Sequence, residues 1–310
     1  MTAKPEPTVH VWLPALPPVS SGAALRDLRD LLVRADRLTD GRAGYLAGLG
    51  DYFVGADSAL AAAATTRDYI AHDTGAYTWL SADPAWVQPE MNGVRLLACG
   101  QLQLTMDEAL AFAEALRPAF DDAGIELKIT TPDRWHVRLP SNTPLPDFAA
   151  PEQALGEDLS QHLPQGVEGR RWRVLLNDIQ VLLHQHPLNT DRRARGLAPV
   201  NSIWLWGGGS LPSPLASELN GVISDDLLLT ALAAQAGIKV LARTPQNVAA
   251  ASNGWLIDLQ DLPIRKIESE WLVILQPLLR RQSVRLHFAS AERWQSQPWH
   301  RWRVWRRAGR

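Results

Sequence analysis

The sequence of 310 residues contains a single cysteine, Cys99, and it has no apolar run of the ~18 residues or more that are needed to cross a membrane. One cysteine excludes an internal disulfide and a cysteine-rich zinc site. The N-terminal segment MTAKPEPTVHVW lacks the apolar region of a secretory signal peptide. We therefore expect a cytoplasmic protein without membrane association. Cys99 lies in the apolar run 94–99, so we expect a buried and unreactive thiol.

Acidic residues are scarce at the C-terminus. Residues 280–310 contain nine arginines and only one acidic residue, Glu292. The segment 293–307, RWQSQPWHRWRVWRR, interleaves these arginines with tryptophans. Two interpretations remain open. Arginine can neutralise phosphates while tryptophan stacks on bases. Arginine can also stack on tryptophan in cation–π contacts that close the fold, which is the interpretation we favour. The residues that would contact an anionic partner are Arg301, Arg303, Arg306 and Arg307.

The pattern along the chain predicts three regions, 1–75, 76–140 and 141–310. Residues 76–140 read as strand, strand, helix, strand and strand, with a turn at Asp83-Pro84, and predict a compact α+β subdomain. The glycine-rich segment 41–50 predicts a loop. From residue 170 onward, helices and strands alternate, which predicts a parallel sheet covered by helices, with a last strand at 302–305.

The run 176–212 contains the candidate ligand site. An amphipathic helix ends at His186-Pro187, and the apolar strand 203–206 leads into three glycines. A strand that leads into a glycine loop lets a ligand approach bare backbone N–H groups. His186 could instead cap the helix end, and the basic stretch around Arg193 could be a solvated turn. The candidate ligand-binding residues are His186, Asn189, Arg193, Asn201, Ser202, Gly207, Gly208 and Gly209.

The order His-Pro-x-Asn, Arg, Gly, Asn-Ser-Ile-Trp-Leu-Trp-Gly-x-Gly in this run resembles a segment of the archaeal-type cofactor-independent phosphoglycerate mutases, which belong to the alkaline-phosphatase superfamily. From about residue 76 to the tryptophan- and arginine-rich C-terminus, the chain resembles the bacterial RpfE-type regulatory proteins, which are phosphoglycerate mutase-like. These resemblances imply an α/β fold: a three-layer, mostly parallel sheet that forms a reduced alkaline-phosphatase-like core, with an inserted α+β subdomain.

The superfamily resemblance also implies two divalent metal ions and a serine or threonine nucleophile. In that family an aspartate follows the first strand, and an Asp-His pair and another histidine come late in the chain. Here residues 13–16 contain no carboxylate and the sequence has no Asp-His dipeptide. The aspartates and histidines after Gly237 are Asp258, Asp261, His287 and His300. We therefore predict no catalytic residues, no metal and no cofactor.

The leading functional hypothesis is a cytosolic regulatory or ligand-binding protein with a degenerate phosphoglycerate mutase-like fold. Its expected partner is a small anionic or phosphorylated ligand. One alternative is an active phosphoglycerate mutase or related phosphotransferase with a diverged site. A second and less favoured alternative is a nucleic-acid-associated protein that uses its basic C-terminus. The sequence makes no prediction of the oligomeric state.

Overall fold

The structure is a computed structural model that describes residues 8–17, 25–55, 60–91, 93–213, 215–303 and 305–306. The chain forms two compact units. Unit 1 combines Met1–Ser58 with Pro214–Arg310, and unit 2 is Ala59–Ser213. Unit 2 is thus inserted into the chain of unit 1. Its bounds differ from the predicted 76–140, because a strand that begins at Ser202 returns to pair with a strand that begins at Thr78.

The described residues form strands and helices that are numbered here in chain order. The strands are β1 (Thr8–Leu13), β2 (Asp36–Arg37), β3 (Thr78–Glu90), β4 (Gly93–Cys99), β5 (Glu126–Thr131), β6 (Arg134–Leu139), β7 (Ser202–Gly209), β8 (Gly221–Ile223), β9 (Lys239–Leu241), β10 (Trp255–Asp258), β11 (Ser283–Phe288) and β12 (Arg293–Ser296). The α-helices are α1 (Arg26–Arg34), α2 (Tyr45–Leu49), α3 (Ala62–Ala71), α4 (Met106–Asp122), α5 (Pro151–Ala154), α6 (Gly166–His184), α7 (Leu188–Ala194), α8 (Leu227–Gln235), α9 (Pro245–Ala249), α10 (Ile264–Lys266) and α11 (Leu272–Arg281). A π-helical turn, Ile267–Trp271, joins α10 to α11, and 3-10 helices span Leu159–Gln161 and Pro298–Trp302.

The sheet of unit 1 has the order β2-β12-β11-β1-β10-β8-β9. Strands β11, β1, β10, β8 and β9 are parallel to one another, and β12 and β2 add an antiparallel edge. The predicted fold class, an α/β fold with a mostly parallel sheet and an inserted α+β unit, is confirmed. Within the described residues, no helix has both the length and the apolar character required to cross a membrane.

Unit 1 has three layers because both faces of its sheet are covered. On one face, Val9, Val11 and Leu13 of β1 belong to a buried apolar cluster that includes side chains of α1, α9 and α11. Each fully buried side chain of this kind contributes roughly 1.5–3 kcal/mol. On the other face, Trp12 stacks on Tyr45 of α2 at a ring-centroid distance of 5.5 Å. The prediction of a loop over residues 41–50 is therefore wrong at 45–49, which form α2.

Unit 2 is an α+β unit with an antiparallel sheet. Its strand order is β4-β3-β6-β5, and β7 pairs with β3. Helices α4 and α6 contribute Phe112, Leu116, Trp172 and Ile179 to the core of this unit. Helix α4 begins with a capping box, in which the Thr105 hydroxyl accepts a hydrogen bond from the Glu108 N–H and the Glu108 carboxylate accepts one from the Thr105 N–H.

The prediction of a turn at Asp83-Pro84 is wrong, since β3 continues through both residues. On one edge, β3 pairs with β7 along this stretch. On the other edge it pairs with β6 over residues 78–81 and with β4 from Ala85 onward. Pro84 lies between these two ladders. Proline has no backbone N–H to donate. It is tolerated here because neither ladder on that edge needs a hydrogen bond from the N–H of residue 84.

Two predictions about the later strands are also wrong. Strand β7 does not join the parallel sheet, because it pairs antiparallel with β3 in unit 2. The described residues of the range 302–305, which are Trp302, Arg303 and Trp305, are not in a strand, because Pro298 opens a 3-10 helix that runs to Trp302. On the edge of β11 away from β1, the pairing strand is β12, which was not predicted from the sequence.

Candidate functional site

One face of the unit 1 sheet carries polar side chains, although most of this face is buried. The register of β1 and β11 places directly opposed residues on the same face of the sheet. On this face, β1 and β11 present Thr8, His10, Trp12, Ser283, Arg285 and His287. The alternate positions carry the apolar side chains of the opposite face. The sequences TVHVWL and SVRLHF thus encode one apolar and one polar face by strict alternation.

A pocket of about 470 Å³ opens on this face, and we call it the polar pocket. It is lined by Thr8, His10, Gly50, Asp51, Tyr52, Phe53, Val54, Glu218, Leu219, Asn220, Asn253, Gly254 and Arg285. Thr8 begins β1, and Asn220 and Gly254 directly precede β8 and β10. The pocket therefore lies toward the amino-terminal ends of the parallel strands. Its volume is within the range of small-molecule sites, roughly 300–1,000 Å³.

Arg285 brings a half-buried positive charge to the polar pocket. Its Nε donates a hydrogen bond to Gln295 Oε1 at 3.2 Å, and among the described residues no carboxylate forms an ion pair with it. Burial, and then the charge of Arg293, lowers the pKa of Arg285 from its ordinary value of 12.5. Arginine nonetheless keeps its charge near neutral pH. A guanidinium with open donors in a pocket is suited to bind a carboxylate or phosphate group, because its planar fork can donate two parallel hydrogen bonds.

Two acidic residues also line the polar pocket. Asp51 forms an ion pair with Arg293, and a second, longer pair with Arg42 at 3.9 Å. Glu218 is exposed to solvent. The charge of Asp51 is thus already compensated by Arg42 and Arg293, and the charge of Arg285 stays available for a ligand.

His10 and His287 lie side by side on β1 and β11. His10 Nδ1 is 3.3 Å from His287 Nε2, within hydrogen-bond distance. Burial, followed by the charges of Arg285 and Arg293, lowers the pKa of His10 from 6.5 to about 4. Burial also lowers the pKa of His287 well below 6.5. Both rings are therefore neutral at pH 7, and each offers one N–H donor and one acceptor nitrogen.

Tyr52 contributes an unused hydrogen-bonding group. Its ring contacts the rings of His10 and His287 at centroid distances of 6.1 and 5.4 Å. The hydroxyl oxygen is buried and has no hydrogen-bond partner among the described residues. An unpaired buried hydroxyl costs roughly 1–3 kcal/mol, and this one is enclosed by protein rather than open to the pocket.

The arrangement supports binding rather than proton transfer. His10 is hydrogen-bonded to another neutral histidine, whereas a strong general base has a carboxylate that orients and charges it. Asn220 Nδ2 donates to the carbonyl of Asn253 at 2.9 Å, which ties together two loops that line the pocket. Arg285 remains as the charged group that can contact an anion.

The carboxyl-terminal edge of the same parallel sheet carries a separate polar cluster. Asp258 ends β10 and accepts a hydrogen bond from Ser224 Oγ at 2.6 Å. Asp226 caps α8 by accepting from the Leu229 N–H, and it also accepts from the Tyr45 hydroxyl. Burial, and then the charge of Asp226, raises the pKa of Asp258 from 3.8 to about 7. This cluster is fully engaged in contacts within unit 1.

The metal pair implied by the superfamily resemblance does not fit the residues at this edge. β1 is followed by residues without a carboxylate, and Arg243 forms ion pairs with both Asp225 and Asp261. Asp258 is in the cluster with Ser224. Within the described ranges, no group of three or more His, Cys, Asp or Glu side chains could hold a metal ion. The donor set that hard divalent ions require is missing where the fold would place it.

The three predicted ligand-binding glycines lie within strand β7 of unit 2 rather than in a loop after it. A Cβ at Gly207 would be 2.8 Å from the Ala62 Cβ, and one at Gly208 would be 2.4 Å from Leu145 Cδ1. A Cβ at Gly209 would be 2.7 Å from the Ala61 Cβ. Gly207 also has a φ of +64°, which favours glycine. The glycines therefore let other parts of unit 2 pack closely against β7.

Asn189 and Asn201, two more predicted ligand residues, bind the backbone of unit 2. Asn189 Nδ2 donates to the carbonyls of Leu183 and Val200, and its Oδ1 accepts from the Val200 N–H, all at 2.8 Å. Asn201 forms a reciprocal pair of hydrogen bonds with the backbone of Val87 on β3. Buried Ser202 accepts from Gln180 Nε2 at 3.3 Å. These amides and this hydroxyl hold β7 in place.

Unit 2 brings only some of the predicted residues together. Asn189, Arg193 and Asn201 line an open groove of about 590 Å³, and Arg193 is exposed. His186 does not line it; its ring contacts Phe112 at 4.6 Å, and burial lowers its pKa. Because the amides are occupied by backbone, the exposed guanidinium of Arg193 is the main group left for a ligand in this groove.

The C-terminal arginines have different surroundings. Arg303 is buried, forms ion pairs with Asp36 and lies over the Trp299 ring at 4.4 Å. Arg306 also pairs with Asp36, at 3.3 Å. Arg301 is exposed and lies over the Trp302 ring at 5.1 Å. Arg307 lies outside the described residues.

Arg285, His10 and Tyr52 were not predicted from the sequence as site residues. The signal was present in β1 and β11, two strands of the parallel sheet in which polar residues alternate with apolar ones. Strands buried on both faces normally read as continuous apolar runs. A buried strand with one polar face is therefore a sign of a site.

Comparisons with known proteins show similarity to phosphoglycerate mutases over part of the chain. No model of a known protein family matches the sequence. The 2,3-bisphosphoglycerate-independent phosphoglycerate mutase of Methanothrix thermoacetophila is 38% identical over 96 residues, which are 29% of this chain and 24% of that protein. The enzyme of the same name from Methanosarcina mazei is 34% identical over 96 residues, with the same coverage. The chain thus spans about a quarter of the length of the curated relatives it matches.

Solved structures match over most of the chain at low identity. The PH0037 protein of Pyrococcus horikoshii has a TM-score of 0.50 and 11% identity, and the match covers 94% of this chain and 87% of that one. The cofactor-independent phosphoglycerate mutase of Thermoplasma acidophilum has a TM-score of 0.42 and 12% identity, covering 94% and 90%. The first similarity supports the fold alone. The resemblance to RpfE-type proteins stays a prediction.

Proposed function

We propose that this protein is a cytoplasmic regulatory or ligand-binding protein of RpfE type that binds a small anion in the polar pocket of unit 1 without metal-dependent turnover. The observation that carries the proposal is Arg285, a half-buried guanidinium in a 470 Å³ pocket with no carboxylate ion pair among the described residues. A bound carboxylate or phosphate would supply the missing counter-charge.

The surroundings of Arg285 favour an anion with further polar atoms. The neutral ring of His10 lines the same pocket, and the strand register places it opposite Arg285. A phosphorylated hydroxy acid has the negative charge for the guanidinium and a hydroxyl oxygen for the neutral imidazole. The names of the partly similar mutases make 3-phosphoglycerate the first compound to test.

Calorimetric titration of the full chain with 3-phosphoglycerate and with inorganic phosphate tests this proposal. Arg285→Gln should weaken binding by about 10- to 100-fold, because charge-assisted hydrogen bonds contribute roughly 1.5–3 kcal/mol. Arg285→Lys should weaken binding less, since the positive charge remains and only the two parallel hydrogen bonds of the planar guanidinium are lost. Arg265→Gln, an exposed arginine of α10, is the matched control. Equal affinity in the parent and Arg285→Gln proteins, with thermal unfolding unchanged, would refute the pocket as the site.

An active mutase with a diverged site is the competing function. Purified protein with Mn²⁺, Mg²⁺ or Co²⁺ should not interconvert 2- and 3-phosphoglycerate above background, because the donor set at the carboxyl-terminal edge of the sheet does not fit a metal pair. Robust turnover that a chelator abolishes would establish the enzyme instead.

A further inference from the structure

The C-terminal 3-10 helix of unit 1, Pro298–Trp302, presents two different faces. Residues three apart in a 3-10 helix lie above one another, so Trp299 aligns with Trp302 and His300 with the capping residue Arg303. His300 and Arg303 are buried and both contact Asp36. Trp299 and Trp302 are 55% and 66% exposed. The inward face closes the fold, and the outward face displays tryptophan.

The outward tryptophans form a spaced series with an arginine beside them. Trp305 is 73% exposed and continues the interval of three residues. At a rise of about 2 Å per residue, Trp299 and Trp302 are about 6 Å apart along the helix axis. Arg303 covers one side of the Trp299 ring at 4.4 Å, whereas the arginine over the Trp302 ring is the exposed Arg301. Large exposed apolar rings of this kind mark interaction surfaces when they cluster.

A groove of about 310 Å³ adjoins this helix and adds positive charge. Arg34, Arg280 and Arg301 line it, and within the described ranges none of the three forms an ion pair with a carboxylate. Asp27 and Asp30 also line the groove, so its charge is mixed, with three arginines against two aspartates. We call the combined set the Trp/Arg surface. It consists of Trp299, Trp302, Trp305, Arg34, Arg280 and Arg301.

We propose that the Trp/Arg surface binds single-stranded nucleic acid. Exposed aromatic rings stack on bases of any sequence, and arginines neutralise the phosphates of the backbone. Charge complementarity favours a polyanion, because Arg34, Arg280 and Arg301 of this surface form no ion pair with a carboxylate within the described ranges. An anionic membrane fits less well, since interfacial anchors expose a broad aliphatic face. Here Leu272 is buried, and Leu31 and Leu279 are half-buried.

Fluorescence anisotropy of a labelled 20-nucleotide oligo-dT strand, titrated with the full chain at 50 mM salt, tests the proposal. Trp302→Ala should weaken binding by about 5- to 100-fold because one base can no longer stack, and Trp302→Phe should restore part of it. Tyr69→Ala, an exposed aromatic of unit 2, is the control and should bind as the parent does. The melting temperature of the Trp302 variants should be unchanged, because this side chain is mostly solvent-exposed.

Salt and competitors complete the test. The combined change Arg280→Gln and Arg301→Gln should reduce the slope of log Kd against log salt by about 1.4, at about 0.7 for each phosphate that the protein no longer neutralises. A duplex of equal length should compete poorly, because its bases cannot stack on tryptophan. Absence of binding at 50 mM salt, or affinity unaffected by Trp302→Ala, would overturn the proposal. Stronger binding to phosphatidylglycerol vesicles than to oligo-dT would overturn it in favour of a membrane surface.

Discussion

His10 Nδ1 lies 3.3 Å from His287 Nε2 across two adjacent parallel strands of unit 1. This contact requires that at least one of the two rings be neutral, because two protonated rings would have no acceptor and would repel each other. Arg285 and Arg293 lower the pKa of both rings further. The polar face of the sheet is thus held together by neutral imidazoles beside charged guanidiniums, an arrangement that depends on pH.

We predict that acid destabilises unit 1 through His10. Its pKa in the folded protein is about 4, below the 6.5 of the unfolded chain, so the unfolded state binds more protons between these values. Stability should therefore fall as the pH drops from about 6.5 to 4, by about 3 kcal/mol from this residue. His10→Gln should flatten that part of the profile in chemical denaturation, whereas His184→Gln, on an exposed histidine, should not. Identical pH profiles for the parent and His10→Gln would contradict the prediction.

Asp258 should have the opposite pH dependence. Its folded-state pKa of about 7 lies above the unfolded value of 3.8, so the stability it contributes is present at low pH and is lost as the pH rises through 7. Asp258→Asn removes this ionisation and keeps the side-chain shape. The variant should gain stability relative to the parent between pH 4 and 8, by up to about 4 kcal/mol. Denaturant unfolding at pH 4 and at pH 8 measures the difference in unfolding free energy between the variant and the parent. The same difference at both pH values would contradict the raised pKa of Asp258.

The glycines of β7 should matter for the stability of unit 2. Gly207 and Gly196 have similar φ values, +64° and +73°, but only at Gly207 would a Cβ meet a neighbour, the Ala62 Cβ at 2.8 Å. Gly196→Ala should cost about 1–2 kcal/mol for the left-handed backbone alone. Gly207→Ala should cost more, because close packing adds a steric term. Equal losses in thermal unfolding would show that close packing at Gly207 is unimportant. Anion affinity should be unchanged in both folded variants.

Arg303 and Arg301 should differ in their effects on stability. Arg303 is buried, donates to the Arg34 carbonyl at 3.0 Å and pairs with Asp36. Arg303→Gln should lower the free energy of unfolding by about 1–3 kcal/mol, because a charged hydrogen-bonding group is lost from a buried position. Arg301→Gln should change it by less than about 0.5 kcal/mol, since Arg301 is exposed. Equal melting temperatures for the two variants would contradict the structural role of Arg303.

Local signals in the sequence predicted much of the fold. The strand and helix pattern of residues 76–140 indicated much of the α+β unit, and alternation after residue 170 indicated the parallel sheet of unit 1. The errors came from long-range pairing. Nothing local to Pro84 shows that it lies between two ladders, and nothing local to Ser202 shows that β7 pairs with a strand more than a hundred residues earlier.

The candidate site was harder to predict than the fold. The glycine run suggested a ligand loop, but glycine is also used where backbones and neighbouring side chains pack closely, as at Gly207 in β7. Arg285 and His10 are 275 residues apart in sequence and become neighbours only through the β1–β11 pairing. The alternating pattern in each strand was visible, but the register that joins the two polar faces was not.

The most direct measurement is a crystal structure of the full chain with 3-phosphoglycerate, together with X-ray fluorescence analysis of the same crystals for bound metals. The prediction is an anionic group of the ligand within hydrogen-bond distance of the Arg285 guanidinium in the polar pocket, and no stoichiometric metal. A ligand at the carboxyl-terminal edge of the unit 1 sheet beside two metal ions, or in the unit 2 groove beside Arg193, would contradict the proposed function.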